Sequence, residues 1–284
     1  MNRVKKEITI DKDFLKNDSS EEHLKSTQII ICGICGKMGR VLAHAINSRL
    51  DCSIAAGIDR ASSLDQNVAL AGDGNPGYKV FSFNDNFAVN GDVIVDFSHP
   101  DMLEPLLKFS LNCKIPLVIC TTGFSEEQIN QIHCASQQIP IFFSGNMSLG
   151  INLLIELSKK AARVLGENFD IEIIEKHHNQ KIDAPSGTAL MIADGISVFR
   201  KDLRYIFDRH KKRKKRKKNE IGIHSIRGGT IVGEHEVIFA GKNENITISH
   251  SAQSKEIFAF GAINAAKFIA KQPPGLYSMT DLLN

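Results

Sequence analysis

The chain has 284 residues, of which 42% are hydrophobic and 24% are charged. This balance is typical of a globular enzyme or binding protein and argues against global disorder, and the length suits two domains of about 100–200 residues each. Because no apolar run reaches the roughly 18 residues of a bilayer span, we expect no membrane segment. Residues 1–27 are charged and lack an apolar core, so we expect a polar extension and no secretory signal peptide.

Six cysteines are present, and nothing in the sequence implies secretion. We therefore expect reduced thiols and a cytoplasmic protein. Cys32 and Cys35 have the CxxC spacing of zinc and redox sites, but they flank a strand end and a glycine turn, and no second pair matches them. We predict small apolar side chains here and no metal site.

The formal charge of +3 is unevenly distributed. Residues 209–218 hold nine Lys or Arg and no acid; without these nine, 26 basic residues face 32 acidic ones, which gives −6. Such a run is typical of a solvated, mobile loop, which we predict. The alternative is a site for nucleic acid or another polyanion, bound through counterion release. We do not expect a nucleic-acid partner.

From residue 28 onward, apolar strand-like runs alternate with segments of helical period. The pattern predicts strands at 28–32, 52–58, 93–97, 117–120 and 139–143, and helices at 40–49, 102–111 and 126–136. Strands that alternate with helices indicate βαβ units, so we predict an α/β domain with a Rossmann-like, doubly wound parallel sheet.

After about residue 150 the pattern changes. It predicts helices at 150–165, 188–199 and 258–270, and strands at 169–175, 221–226, 230–240 and 245–251, the last three consecutive and joined by glycine-containing turns. We predict a second, α+β domain with a mixed or antiparallel sheet. The predicted organisation is an extension at 1–27, a first domain at 28–149 completed by 256–284, and a second domain at 150–255.

A glycine-rich loop follows the first predicted strand. Gly33, Gly36 and Gly39 stand between a strand and a helix, although Cys35 occupies a place that is glycine in the usual GxGxxG motif. Glycines let backbone N–H groups approach phosphate oxygens at a helix N-terminus. The loop therefore predicts a dinucleotide site; the alternative is a tight turn without a ligand.

An acid–base pair ends the second predicted strand. Asp59 lies 20 residues after Gly39, where a carboxylate commonly binds the ribose of a dinucleotide. Asp59 favours NADH because it repels a 2′-phosphate, whereas Arg60 attracts one. We predict that both cofactors are used, with no more than about a tenfold preference.

A histidine pair ends the predicted strand at 169–175 and precedes a lysine and a helix start. The run is EKHHNQKIDAPSGTA, which includes His177, His178 and Lys181. Adjacent strand residues point to opposite faces, so at most one histidine faces a given cleft. A histidine proton donor with an anion clamp made by Lys181 and by the backbone and hydroxyls of Ser186–Thr188 suits a small acidic substrate. The alternatives are histidines packed for stability and, more weakly, a metal site.

The longer run EIIEKHHNQKIDAPSGTA resembles the signature of the dihydrodipicolinate reductase family, enzymes of bacterial and plant lysine and diaminopimelate synthesis. The resemblance covers about residues 28–284. It includes GICGKMGR at 33–40, DFSHP at 96–100, TTG at 121–123, GNMSLGIN at 145–152 and RGGTIVGEH at 227–235.

The resemblance implies NADPH- or NADH-dependent reduction of the dicarboxylate 4-hydroxy-tetrahydrodipicolinate by a homotetramer, which is built through the sheets of the second, substrate-binding domain. It implies His177 as proton donor, Lys181 as a second catalytic residue, and a substrate site at His178, Ser186, Gly187 and Thr188. The implied cofactor residues are Gly33, Ile34, Cys35, Gly36, Lys37, Met38, Asp59, Arg60, Cys120, Thr121, Thr122, Ser144, Gly145, Asn146 and Met147.

Three features depart from the family pattern. Cys120 replaces a common glycine, Lys255 stands where some relatives have arginine, and the basic run at 209–218 is unusual in composition. Two alternative functions stay open: another two-domain NAD(P)-dependent reductase, and a polyanion-binding protein that uses 209–218.

Overall fold

The computed structural model describes residues 26–60, 77–83, 89–200, 202–210 and 213–283. Most of the predicted extension at 1–27 lies outside the described residues. The described chain forms two β-sheets, each with its own buried apolar core. No helix in these ranges is both long and apolar enough to cross a bilayer.

The first sheet has seven strands in the order β12-β6-β5-β4-β1-β2-β3, and all its pairings are parallel. This confirms the predicted α/β domain. Its strands are β1 Thr27–Cys32, β2 Cys52–Ile58, β3 Lys79–Phe81, β4 Val93–Asp96, β5 Leu117–Ile119, β6 Pro140–Phe143 and β12 Gly275–Tyr277.

Helices cover both faces of this parallel sheet, which explains why its central strands are apolar on both sides: Ile29, Ile30, Ile31 and Cys32 have no exposed surface. The helices are α1 Lys37–Asn47, α2 Leu103–Cys113, α3 Glu126–Ser136 and α6 Glu256–Ile269. Strand residues on one face of the sheet form a buried cluster with α1 and α6, and those on the other face form a second cluster with α2 and α3.

The second sheet has five strands in the order β11-β10-β7-β9-β8. Strands β7, β9 and β8 run parallel to one another, and β10 and β11 are antiparallel to their neighbours, so the sheet is mixed. The elements are α4 Leu149–Leu165, β7 Asp170–His177, α5 Gly187–Ser197, β8 Arg204–Ile206, β9 Glu220–Arg227, β10 Gly233–Ala240 and β11 Asn245–Ala252. Helices α4 and α5 cover one face, and their apolar residues join those of β7, β9 and β10 in one core.

The prediction of consecutive strands is incomplete in one respect. Strands β9 and β10 follow each other in sequence but are not neighbours, because β7 lies between them. Strands β3, β8 and β12 were not predicted, because they have three residues each and are too short to show a period. Strand β12 pairs with β6 and is followed by α7, Met279–Leu283.

The basic run is only partly the solvated loop that we predicted. Arg216 donates to Asp170 Oδ1 at 2.7 Å and to Glu172 Oε1 at 3.0 Å, and Arg209 donates to Glu220 Oε2 at 2.9 Å. Both side chains are less than one third exposed. The prediction is wrong for these two arginines, because acidic residues on β7 and β9 recruit them as ion-pair partners that sequence spacing alone does not reveal.

Candidate active site

The carboxyl ends of β1, β2 and β4 border an open cleft of about 350 Å³. This edge is where parallel α/β sheets bind ligands, at the point where the strand order reverses. The cleft is lined by Gly33, Cys35, Gly36, Arg40, Asp59, Arg60, Phe97, Ser98, His99 and Met102. The predicted glycine loop and the acid–base pair therefore line one cleft.

The loop requires glycine at two of its positions. Gly33 has φ of +80°, and a Cβ there would lie 2.6 Å from the carbonyl oxygen of Phe97. A Cβ on Gly39 would overlap the carbonyl oxygen of Gly33. Helix α1 begins at Lys37, three residues before the predicted start, and Gly36 is its N-cap without a side-chain hydrogen bond. The N–H groups of its first turn are thus available to an anion.

Asp59 connects the glycine loop to the end of β2 by hydrogen bonds. Its carboxylate accepts hydrogen bonds from the backbone N–H groups of Cys35 and Arg60, both at 2.8 Å. The side chain of Arg60 is 47% exposed, and Arg40 donates to the carbonyl of Cys35 at the same rim. The cleft thus combines one nearly buried carboxylate with two accessible guanidinium groups.

Several predicted cofactor residues contribute to the core or the backbone of the site. The side chains of Ile34 and Met147 lie in the apolar core, so only their backbone atoms are available to a ligand. Cys120 is buried, and burial raises the pKa of its thiol well above the usual value. Lys37 is exposed at the start of α1, and Met38 is partly exposed.

Asp96 is a site residue that the sequence analysis did not assign. It ends β4 with 1% exposure, and its Oδ1 accepts hydrogen bonds from both the N–H and the hydroxyl of Ser98. Burial raises its pKa, and the hydrogen bonds from the hydroxyl and the N–H of Ser98 oppose the rise. Asp96 thus shapes the turn that packs on Gly33. A lone aspartate that ends an apolar strand was the available signal.

The loop after β6 connects the two sheets. The Nδ2 group of Asn146 donates to Thr188 Oγ1 at 2.9 Å, and its Oδ1 accepts from the Ser148 N–H at 2.9 Å. The hydroxyl of Ser144 donates to the Asn146 carbonyl at 2.9 Å. Thr121 is buried at the end of β5, while Thr122 and Gly145 are exposed. Asn146 therefore joins the predicted cofactor segment to the predicted substrate segment.

His177 ends β7 and faces the helix-covered side of the second sheet, with 9% of its surface exposed. Its Nδ1 lies 2.5 Å from Oε2 of Glu175, and its ring meets that of His235 edge-on at 5.3 Å between centroids. Burial lowers the pKa of His177, and the hydrogen bond and charge of Glu175 oppose this change. His178 is partly exposed, as the alternation along the strand predicts.

The segment from Lys181 to Thr188 leads into α5. Lys181 pairs with Asp183 at 2.8 Å and remains 23% exposed. Ser186 caps α5 by accepting from the Ala189 N–H at 3.2 Å, and its hydroxyl also contacts Nε2 of His235. Ser186 is therefore turned inward, so Gly187 and Thr188 are left as the accessible pair at this helix start.

The described part of the chain contains no group of three or more His, Cys, Asp or Glu residues that could hold a metal ion. Lys255 is exposed just before α6. The geometry thus offers an anion-binding cleft at the first sheet and a histidine–lysine cluster at the second, with Asn146 and Thr188 hydrogen-bonded between them.

Comparison with known proteins agrees with this arrangement. The family models described as "Dihydrodipicolinate reductase, N-terminus" and "Dihydrodipicolinate reductase, C-terminus" match residues 27–147 and 150–283. A 4-hydroxy-tetrahydrodipicolinate reductase of Caldanaerobacter subterraneus subsp. tengcongensis is 52% identical, over 90% of this chain and 98% of that protein. One from Clostridium novyi is 46% identical, again over 90% of this chain and 98% of that protein.

A solved structure shares the fold. The dipicolinate-bound dihydrodipicolinate reductase from Paenisporosarcina sp. TG-14 matches with a TM-score of 0.72 and 24% identity, over 89% of this chain and 97% of that one. At this identity the likeness establishes the architecture, while the family models and the two reductases above establish the lineage. The chain belongs to the dihydrodipicolinate reductase family.

Proposed function

We propose that this protein reduces 4-hydroxy-tetrahydrodipicolinate to tetrahydrodipicolinate with NADH or NADPH, a step of lysine and diaminopimelate synthesis in which the 4-hydroxyl group leaves as water. Relatives that match over 90% of the chain carry the name of this reductase. The observation that supports the proposal most strongly is the hydrogen bond from Asn146 to Thr188, because it brings the predicted substrate segment against the predicted cofactor loop.

The glycine loop fits a dinucleotide. Gly33 and Gly39 allow the loop backbone to pack closely where a Cβ would clash with the carbonyl groups of Phe97 and Gly33, and the open N-terminus of α1 suits a pyrophosphate. Gly33 to Met38 would hold the pyrophosphate, and Asp59 with Arg60 the adenosine ribose. The segments 120–122 and 144–147 would line the nicotinamide side. When bound, the cofactor supplies the hydride.

The two carboxylates of the substrate account for the second cluster. Lys181 supplies a positive charge, and the N–H groups at the start of α5 supply hydrogen-bond donors through Gly187 and Thr188. His178 is a further carboxylate contact. The hydroxyl of Ser186 acts indirectly, since it caps the helix. Contacts to both carboxylates fix the substrate ring relative to the cofactor.

His177 provides the proton that completes the reduction. Its ring lies at the end of β7, close enough to Lys181 that the lysine charge lowers its pKa. A histidine in this position transfers a proton to the enamine-type anion of the reduced substrate. Lys181 stabilises the negative charge that develops before the transfer.

Cofactor use follows from the rim of the first cleft. Both Asp59 oxygens already accept backbone hydrogen bonds, while Arg60 remains accessible. We propose that both cofactors are accepted, with a kcat/KM ratio within about tenfold, or roughly 1.4 kcal/mol. A ratio above about a hundredfold in either direction contradicts this proposal. Arg60→Ala should weaken the binding of NADPH more than the binding of NADH.

Binding of dipicolinate, a flat dicarboxylate, tests the substrate site without the labile substrate. Calorimetry with the cofactor present should show one site per chain that competes with substrate. Lys181→Ala should lower the affinity by about tenfold to a hundredfold, since a hydrogen bond to a charged group contributes about 1.5–3 kcal/mol. The control Lys114→Ala removes an exposed lysine at the end of α2 and should change nothing. Equal affinity in Lys181→Ala would place the dicarboxylate elsewhere.

The alternative of another NAD(P)-dependent reductase is tested by a panel of amino-acid-derived imines and keto acids, and higher kcat/KM on one of these would favour it. The polyanion alternative loses support because Arg209 and Arg216 are already paired with carboxylates of the protein. Steeply salt-dependent nucleic-acid binding by a catalytically silent protein would restore it.

Three further properties belong to this proposal. We place the dinucleotide-binding domain at 28–149 and 256–284, supported by the β12–β6 pairing, and the substrate-binding and oligomerisation domain at 150–255. A homotetramer is proposed through the face of the second sheet that α4 and α5 leave uncovered; light scattering should give about four times 31.4 kDa. A cytoplasmic location is supported by six free cysteines.

A further inference from the structure

Glu175 is the most completely buried charged residue of the second sheet, with no exposed surface. It lies on β7 two residues before His177 and on the same face of the strand. The proposed reaction uses His177, Lys181 and the start of α5, and this carboxylate has no part in it so far. A buried carboxylate is costly unless it is paired, so its partners indicate its role.

Four hydrogen bonds hold Glu175 in one orientation. Arg227 on β9 clamps it with two bonds, from Nη1 to Oε2 at 2.8 Å and from Nη2 to Oε1 at 2.7 Å. The N–H of Ser186 donates to Oε1 at 3.2 Å, and Nδ1 of His177 lies 2.5 Å from Oε2. The carboxylate thus links β7, β9 and the first turn of α5 to the histidine ring.

We propose that Glu175, clamped by Arg227, is a positioning residue that holds Nδ1 of His177 and directs Nε2 of the ring toward the substrate. The inference rests on the proposed function, because it assumes that His177 is the proton donor. Arg227 acts one step further away: its planar guanidinium matches the carboxylate bidentately and prevents Glu175 from rotating.

The arrangement determines which ring nitrogen transfers the proton. With Nδ1–H held by Glu175, the imidazolium gives up its Nε2 proton to the substrate carbon and becomes a neutral imidazole that keeps the Nδ1 proton. Glu175 remains ionised throughout, and solvent returns a proton to Nε2 after turnover. Gly233 on β10 leaves room at this nitrogen, because a Cβ there would lie 3.2 Å from Nε2.

The charges around His177 predict opposite effects for the two members of the clamp. Burial would raise the pKa of Glu175, but the hydrogen bonds from Arg227 and His177 and the charge of Arg227 outweigh it and bring the pKa to about 2. Among the described residues, the other charged or titratable groups that act on His177 are Lys181, Arg227 and His235. Lys181 and Arg227 lower the pKa of His177, and burial lowers the pKa of His235 to about 4, so His235 is neutral at pH 7.

The direction of each shift follows from these charges. A proton donor must be protonated, so kcat falls as the pH rises through the pKa of His177. Removing the negative charge of Glu175 lowers that pKa, and the fall then begins at lower pH. Removing the positive charge of Arg227 raises it, and the fall then begins at higher pH. A clamp that only stabilised the sheet would not move the pH profile in opposite directions.

The experiment measures kcat against pH for the wild-type protein, Glu175→Gln and Arg227→Gln. We expect the kcat of Glu175→Gln to fall by about tenfold or more, which is part of the 10²–10⁴-fold that a general acid contributes. The descending limb of its pH profile, where kcat falls as the pH rises, should move to lower pH. Arg227→Gln should move the limb to higher pH. Glu175→Asp keeps the charge and should return the limb toward its wild-type position. Identical limbs in Glu175→Gln and Glu175→Asp would overturn the proposal, as would shifts of the same sign in Glu175→Gln and Arg227→Gln.

A matched control lies on the same strand. Glu172 also pairs with a histidine and an arginine, since its Oε2 lies 2.8 Å from Nε2 of His224 and its Oε1 accepts from Arg216. Glu172→Gln should lower the melting temperature and leave the pH profile of kcat unchanged. A shift in this control equal to that of Glu175→Gln would overturn the proposal.

A spectroscopic titration separates this inference from the proposed function. Carbon-13 labelling at Cε1 of histidine allows the pKa of His177 to be followed by NMR, with its signal assigned by its absence in His177→Gln. We expect Glu175→Gln to lower that pKa whether or not the protein turns over the proposed substrate. Absence of turnover by the wild type refutes the function alone, whereas an unmoved His177 titration refutes the positioning role alone.

Discussion

Replacement of His177 by alanine separates catalysis from stability most sharply. The ring is 9% exposed, makes one hydrogen bond to Glu175 and packs edge-on against His235. Loss of a general acid should lower kcat by about 10²–10⁴-fold, which corresponds to about 2.7–5.5 kcal/mol of transition-state stabilisation. The affinity for NADH should stay nearly unchanged, because the glycine loop lies on the first sheet.

The cost to folding should be smaller than the cost to catalysis. After the substitution, Glu175 still accepts two hydrogen bonds from Arg227 and one from the Ser186 N–H, so its charge remains paired. The loss is one hydrogen bond and one edge-to-face ring contact, or about 2–3 kcal/mol together. The melting temperature should therefore fall by several degrees while the protein remains folded.

Steady-state kinetics, NADH titration and a thermal melt on each variant provide the assay. His178→Ala is the control, and it should act mainly on KM if this ring only contacts a carboxylate. His177→Gln preserves more of the side-chain volume and should lose kcat to a similar extent. If His177→Ala melted at a lower temperature but kept its kcat within about twofold, the ring would be structural and the proton donor would lie elsewhere.

Three further outcomes follow from the structure. Asn146→Ala and Thr188→Val should each raise KM, and the double-mutant cycle should show a coupling of about 0.5–1.5 kcal/mol; additive effects would mean that their hydrogen bond is not used. Gly39→Ala should abolish NADH binding in a fluorescence titration, because its Cβ overlaps the carbonyl oxygen of Gly33. Wild-type affinity for NADH would refute the assignment of the glycine loop to the cofactor. The free energy of unfolding should fall as the pH drops from about 4.5 to 2, since the folded pKa of Glu175 is depressed and its stabilisation is lost on protonation; Glu175→Gln should flatten this dependence in urea titrations.

The sequence predicts the elements that position the site because their patterns are local. The apolar run of β1, the glycine spacing and the acid that ends β2 are visible in the sequence, and all of them meet at one cleft. The helical period at 126–136 predicts the observed bounds of α3, and the structure shows that Ser125 and Gln128 fix its start with a capping box.

Long-range pairings were beyond the reach of the sequence. Nothing local indicates that Arg227 clamps Glu175 from a strand 52 residues away, or that Arg216 leaves the basic run to bind Asp170. Each is a pairing between elements that only the sheet topology brings together. The inward orientation of Ser186 is of the same kind, because His235 on β10 contacts its hydroxyl.

Loss of cofactor absorbance at 340 nm, measured with freshly prepared 4-hydroxy-tetrahydrodipicolinate, tests the central claim most directly. We predict that the wild-type protein oxidises NADH or NADPH in proportion to the substrate added, that tetrahydrodipicolinate forms in equal amount, and that dipicolinate inhibits competitively. A well-folded protein that binds the cofactor but leaves the absorbance unchanged with this substrate would contradict the assignment of this reduction to the His177–Lys181 cluster.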